Sequence, residues 1–264
     1  MLEDVEIYEI KKMDLDGAIV IDGFPSVGLV SSIVANYLIN LLEMEQIGVV
    51  DSIYFPTVSL IRNSEPHNPV RIYACEKKEG EEQIVVFISE FQPSPNIIKP
   101  IAARMIEWAM EEQRCKLIIS PEGLVVDTSE VEGEMSEEEM EKRRTAVYGV
   151  GSTPEIRRVL EDDEEIKEFA EGVITGVAGV LLNMGKMLKY PVVGLLTEAH
   201  PDYPDARSAA KIIEVMDRLF LHRNIDAGPL YEEAEKVEEQ IKALQKQTAA
   251  AKRPKKLPAP SMYG

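Results

Sequence analysis

The segment that most constrains the fold is Gly17 to Leu42, GAIVIDGFPSVGLVSSIVANYLINLL. GAIVIDG has the length and apolar character of a buried strand, and FPSVG is a turn. From there Leu29, Ile33, Leu38 and Leu41 or Leu42 recur close to the 3.6-residue helical period. A strand that runs through a tight turn into an amphipathic helix opens an α/β unit and calls for a sheet with helices packed on it.

The rest of the chain keeps this alternation. IGVVDSIYF, TVSLI, VRIYACEK and QIVVFIS are strand-like runs, parted by turn signals at NSEPHNP and KKEGEE, and the last two read as a hairpin. PSPNIIKPIAARMIEWAMEEQ predicts a helix with Asn96 as N-cap and Pro100 in its first turns, and CKLIIS a buried strand after it. TAVYGVGS, GVITGVAGVLLNMGKML and YPVVGLLTEA continue the pattern, and DARSAAKIIEVMDRLFLH is a strongly amphipathic helix. Asp127 to Arg144 is too charged for a core and predicts an exposed loop or surface helix. At 264 residues and 45% apolar content the chain can bury a full core. The expected body is one α/β domain over residues 1–226, a mixed sheet with helices on both faces.

Two further parts follow. Leu230, Ala234, Val237, Ile241 and Leu244 form a narrow apolar seam at heptad spacing, so residues 227–244 read as an amphipathic helix docked on the body or on a neighbouring subunit. Residues 245–264 carry Pro254, Pro258 and Pro260 and no apolar period, and read as a flexible to semi-extended tail. That tail holds five cations, Lys246, Lys252, Arg253, Lys255 and Lys256, and no acid, in a chain of net charge -18. The body is therefore more acidic still, which argues against nucleic-acid binding by it. The charged opening MLEDVEIYEIKKMDLDG has no apolar leader region, and the uncharged apolar run Gly172 to Gly185 is shorter than the roughly 20 residues that span a bilayer. With two cysteines, too few for a disulfide framework or a thiolate zinc site, the expectation is a soluble cytoplasmic protein.

Catalytic motifs are weak throughout. Gly23 to Gly28, GFPSVG, lies between a strand and a helix N-terminus, where an anion would be favoured, but Leu29 and Val30 stand where a P-loop needs Lys and Ser or Thr. Pro25 stands where a dinucleotide fingerprint needs its second glycine. Glu198, His200, Asp202 and Asp205 gather after a strand end, where α/β sheets place their sites, yet Asp205 also sits where a helix wants its N-cap. No nucleophile elbow is present, Cys75 and Cys115 read as core thiols, and no cofactor or metal is expected. The competing expectation is a phosphorylase-like or hydrolase-like enzyme with its crevice between Gly23–Gly28 and Glu198–Asp205.

GFPSVGLVSSIVANYL, SEFQPS at Ser89 to Ser94, and LLTEAHPDYPDARSAAKIIEVMDRLFLHRNIDAGPLYEEAEKVEEQI resemble the archaeal proteasome-assembly chaperone family, homologues of the second-type subunit of the eukaryotic assembly-chaperone heterodimer. The resemblance runs from about Gly17 to Ile241. It implies a three-layer α/β/α fold similar to nucleoside phosphorylases, without an established catalytic site. It also implies that a C-terminal hydrophobic-tyrosine-any triplet docks between adjacent α subunits of the proteasome core particle. On this chain Met262 would be the anchor, Tyr263 the ring wedged against the gate-forming segments, and the Gly264 carboxylate the partner of a pocket lysine. The partners so implied are the core particle, further copies of the chain in a homo-oligomer, and for some members a paralogous chaperone subunit.

Overall fold

The structure, a computed structural model, describes residues 4–125 and 146–251. The acidic stretch Asp127–Arg144 and the triplet Met262, Tyr263 and Gly264 lie outside the described residues.

Nine strands form one mixed sheet in the order β1-β3-β6-β7-β2-β8-β11-β9-β10. Its centre is β7 (Ile84–Ser89), β2 (Ile19–Gly23), β8 (Leu117–Leu124) and β11 (Val192–Glu198), parallel neighbours throughout. Strands covered on both faces can be apolar without alternation, and every residue of β2 and β7 is buried. On one side β6 (Val70–Ala74), β3 (Glu45–Asp51) and β1 (Glu6–Glu9) add antiparallel, β6 and β7 pairing as the hairpin expected from sequence. On the other, β9 (Val147–Gly151) runs antiparallel to β11, and β10 (Ile166–Glu168) parallel to β9. A separate hairpin of β4 (Leu60–Arg62) and β5 (Glu65–His67) occupies the segment expected to be a strand and a turn.

Helices cover both faces, giving the three-layer α/β/α architecture. On one face α1 (Val30–Leu41), α3 (Pro154–Glu161) and α5 (Ala206–Met216) pack over Ile19, Ile21, Val86 and Leu195. On the other α2 (Pro95–Glu107) and α4 (Gly176–Leu188) pack over Val20, Phe87, Ile118 and Val192. Alternate residues of each central strand therefore enter different cores, as a two-residue side-chain period requires.

Two local expectations are corrected. The buried face of α1 is Val30, Ser31, Val34, Ala35 and Leu38, whereas Leu29 and Leu41 are each 44% exposed. Left-handed backbone at Gly28 (φ 62°) and Leu29 (φ 52°) delays the helix to Val30 and turns its small residues toward the sheet. The N-cap of α2 is Ser94, with Pro95 in the first turn, rather than Asn96. Proline suits that place because its missing N–H is one the helix leaves unbonded anyway.

The last helix, α6 (Gly228–Ala251), runs past Leu244 into Gln, Lys and Ala, all good helix formers. Leu230 of the seam is buried in the α1/α5 core and Ala234 is buried too, so its first turns dock on the chain's own body. The side chains of Ile241 and Leu244 are outside the described ones. Its root is fixed at two points. Asp217 accepts backbone N–H bonds from Arg223 at 2.8 Å and Ile225 at 2.9 Å, and the Tyr37 hydroxyl donates to the carbonyl of Asp226.

Candidate functional site

The two segments singled out from sequence for a crevice meet at the carboxyl ends of β2, β8 and β11, and they meet by packing on each other. Gly28 accepts a hydrogen bond from the backbone N–H of Asp205 at 2.8 Å. A Cβ on Gly28 would stand 2.9 Å from Cβ of Ala199 and 3.2 Å from Cβ of Asp205. Gly123, on β8 below, lies so close under the turn that a Cβ there would stand 2.1 Å from the carbonyl oxygen of Val27. The junction is tight because glycine supplies both the left-handed conformation at 28 and the missing side chain at 123.

The polar groups of the junction are committed to backbone. Ser26 Oγ accepts from the Ser31 N–H at 3.1 Å and its hydroxyl lies 2.9 Å from that of Ser31, which in turn donates to the carbonyl of Phe24, so one amide at the start of α1 that an anion would want is already bonded. Asp205 is the N-cap of α5, as its position suggests: Oδ1 accepts from Ser208 N–H at 3.0 Å and Oδ2 from His200 N–H at 3.1 Å. His200 Nδ1 accepts from Asp202 N–H at 3.2 Å, and its ring stacks on Tyr203 with centroids 3.9 Å apart. Among the described residues no group of three His, Cys, Asp or Glu side chains could hold a metal ion. Asp205→Ala will therefore cost about 2 kcal/mol, a cap plus a loop tether, read as a lower urea midpoint at unchanged m. An unchanged midpoint would show that the cap is dispensable.

Sequence reasoning missed the buried acid beside this junction. Asp22, 1% exposed in β2, accepts from Phe24 N–H at 3.1 Å and from the Ser120 hydroxyl at 3.0 Å. Burial pushes its carboxyl up to about 6, against the lowering effect of those two bonds. Glu122 lies two residues beyond Ser120 on the same face of β8, and its carboxyl is held well above the ordinary range, by burial first and by the charge of Asp22 second. The available signal was a lone carboxylate inside the apolar run GAIVIDG. Both acids sit at strand carboxyl ends, and Asp22 is tied down by Phe24 and Ser120.

Comparison with known proteins agrees with the resemblance carried by the sequence motifs. Residues 20–245 match the model of the PAC2 family. The structure of Pyrococcus furiosus PbaA, described as an archaeal homolog of proteasome-assembly chaperone, is 30% identical with a TM-score of 0.75 and covers 94% of both chains. P. furiosus PbaB, described as an archaeal proteasome activator, shares the fold at 23% identity and a TM-score of 0.76, over 92% of this chain and 100% of its own. An uncharacterized protein of Methanocaldococcus jannaschii is 27% identical over 247 residues, 94% of this chain and 93% of its own.

Proposed function

Since the chain belongs to the PAC2 family, we propose that it is a proteasome-binding protein, acting as assembly chaperone, as ATP-independent activator or as both. The observation that carries this reading is the likeness to PbaA along nearly the whole of both chains. In this reading residues 1–226 are the chaperone body, the helix beyond it, which continues past Leu244 to Ala251, launches the tail, and the rest of the chain to 264 is a tether whose Met262, Tyr263 and Gly264 carboxylate dock between α subunits of the core particle. Cations and prolines hold the triplet away from an acidic body. The protein works in the cytoplasm without nucleic acid, membrane or catalysis of its own.

One tail binds weakly, because ordering a free arm costs conformational entropy. Several tails on one homo-oligomer bind as a set, each raising the effective concentration of the next. Tyr263→Ala, or removal of Ser261–Gly264, will lower apparent affinity for core particles by about 100-fold or more, since avidity multiplies the loss at each tail. Thermal stability of the body will not change. Undiminished capture of core particles by either variant in a pull-down would refute the tail reading. Phosphate or nucleoside binding at the Gly28–Asp205 junction would favour the enzyme reading instead.

A further inference from the structure

We infer that the arm between β3 and β6, residues 52–68, is a self-association surface whose occupant is a second copy of this chain. The inference deepens the proposed function, which needs several tails on one particle, and rests on that reading for its purpose only.

The arm leaves the body and exposes large apolar side chains in one short stretch. Ile53 is 78% and Ile61 67% exposed, and Tyr54 and Val58 are each more than half exposed. Four large exposed apolar side chains within residues 53–61 are what a contact surface needs, whereas such residues scattered singly would need no explanation. Among the described residues β4 and β5 pair only with each other. A two-stranded hairpin alone in water is marginal, so it needs something against it.

The arm is also held as a platform. Phe55 is buried at its root, edge-to-face on Phe91 with centroids 5.1 Å apart. Arg62 reaches Glu90 at 2.8 Å, and the same carboxylate pairs with the buried Arg71. Asn63 and Ser64 both have positive φ, 51° and 66°, the tight turn whose twist matches a hairpin.

Charge selects the occupant. Residues 52–68, SIYFPTVSLIRNSEPHN, hold one acid, Glu65, and one cation, Arg62, and so carry no formal net charge in a chain of net charge -18. Two such bodies repel across most of their surfaces and can approach where charge is missing. A partner chosen by opposite charge would meet the acidic surface, whereas a neutral apolar patch complements itself.

The test is the mass of the full chain in sedimentation velocity at micromolar concentration, beside Ile53→Asp/Ile61→Asp, Val58→Lys and Tyr263→Ala. The parent and Tyr263→Ala are expected to sediment as the same multimer. The two arm variants, altered only at exposed side chains, are expected to fall toward the single chain with unchanged circular dichroism and Tm, and to bind core particles about 10-fold or more weaker through lost avidity. A monomeric parent, or arm variants that keep the parent's mass, would overturn the inference; arm variants that keep the mass yet lose core-particle binding would assign the arm to the core particle. Arm variants that dissociate while the parent binds no core particle would uphold this surface and sink the proposed function. Retained mass in the arm variants, with binding lost in Tyr263→Ala, would do the reverse.

Discussion

Gly123→Ala will destabilise the protein by about 3 kcal/mol or more, a fall in Tm of roughly 6 °C or more for a chain of this size. The added Cβ would stand 2.1 Å from the carbonyl oxygen of Val27 and 3.0 Å from Cβ of Ala199. The first of these is backbone, which has no rotamer to escape into. Moving Val27 moves Gly28, and with it the hydrogen bond from Asp205 that couples the start of α1 to the cap of α5. Gly194→Ala is the control, also within a central strand. Its Cβ would meet nothing nearer than the tip of Leu182 at 3.3 Å, and its cost is expected below about 1 kcal/mol. Equal effects of the two substitutions would mean that the junction yields and the contact does not matter.

Asp22→Asn will remove a loss of stability that the parent suffers as pH rises from about 4 to about 6. In the unfolded chain Asp22 releases its proton near the ordinary value of 3.8, and in the fold near 6. The fold thus holds that proton more tightly. Its contribution is complete below about pH 4, declines as pH rises and is gone above about pH 6, a loss of about 3 kcal/mol. Glu122, also raised, acts in the same direction. Asparagine keeps an oxygen for the Phe24 N–H and offers its amide to Ser120, whose hydroxyl can turn to accept. The variant is therefore expected to gain on the parent steadily across that window in urea titrations, and to exceed it at neutral pH. A difference that stays constant with pH would remove Asp22 as the cause. Asp22→Ala, by contrast, strands a buried N–H and hydroxyl and costs about 2 kcal/mol more than Asn at neutral pH.

Much of the fold was legible because its signals are local. GAIVIDG, QIVVFIS and CKLIIS are continuous apolar runs, and each became a strand of the parallel centre with both faces covered. The 3.6 period placed α5, and Asp205 announced its start. What failed depended on backbone handedness or on partners far along the chain. The face of α1 turns on left-handed residues at 28 and 29, which a period cannot register. The burial of Asp22 follows from Ser120, which stands beside it only once β2 and β8 pair. The sequence placed the two loops of the supposed crevice at one end of the sheet, but that they fill the space between them depends on Gly28 and Gly123 each facing a neighbour's atoms. The arm at 52–68 reads as strand and turn in sequence; its exposure follows from β4 and β5 joining no other strand.

The root of α6 has a mechanical consequence. The carboxylate of Asp217 and the ring of Tyr37 clamp the turn from which a 24-residue helix departs. Such a helix rises about 36 Å, so a pivot of about 10° at the clamp sweeps its far end through about 6 Å. A side-chain rearrangement at Asp217 is thereby geared up into a displacement comparable with one helical turn. The clamp, together with the buried Leu230 and Ala234, sets the aim of whatever the helix carries.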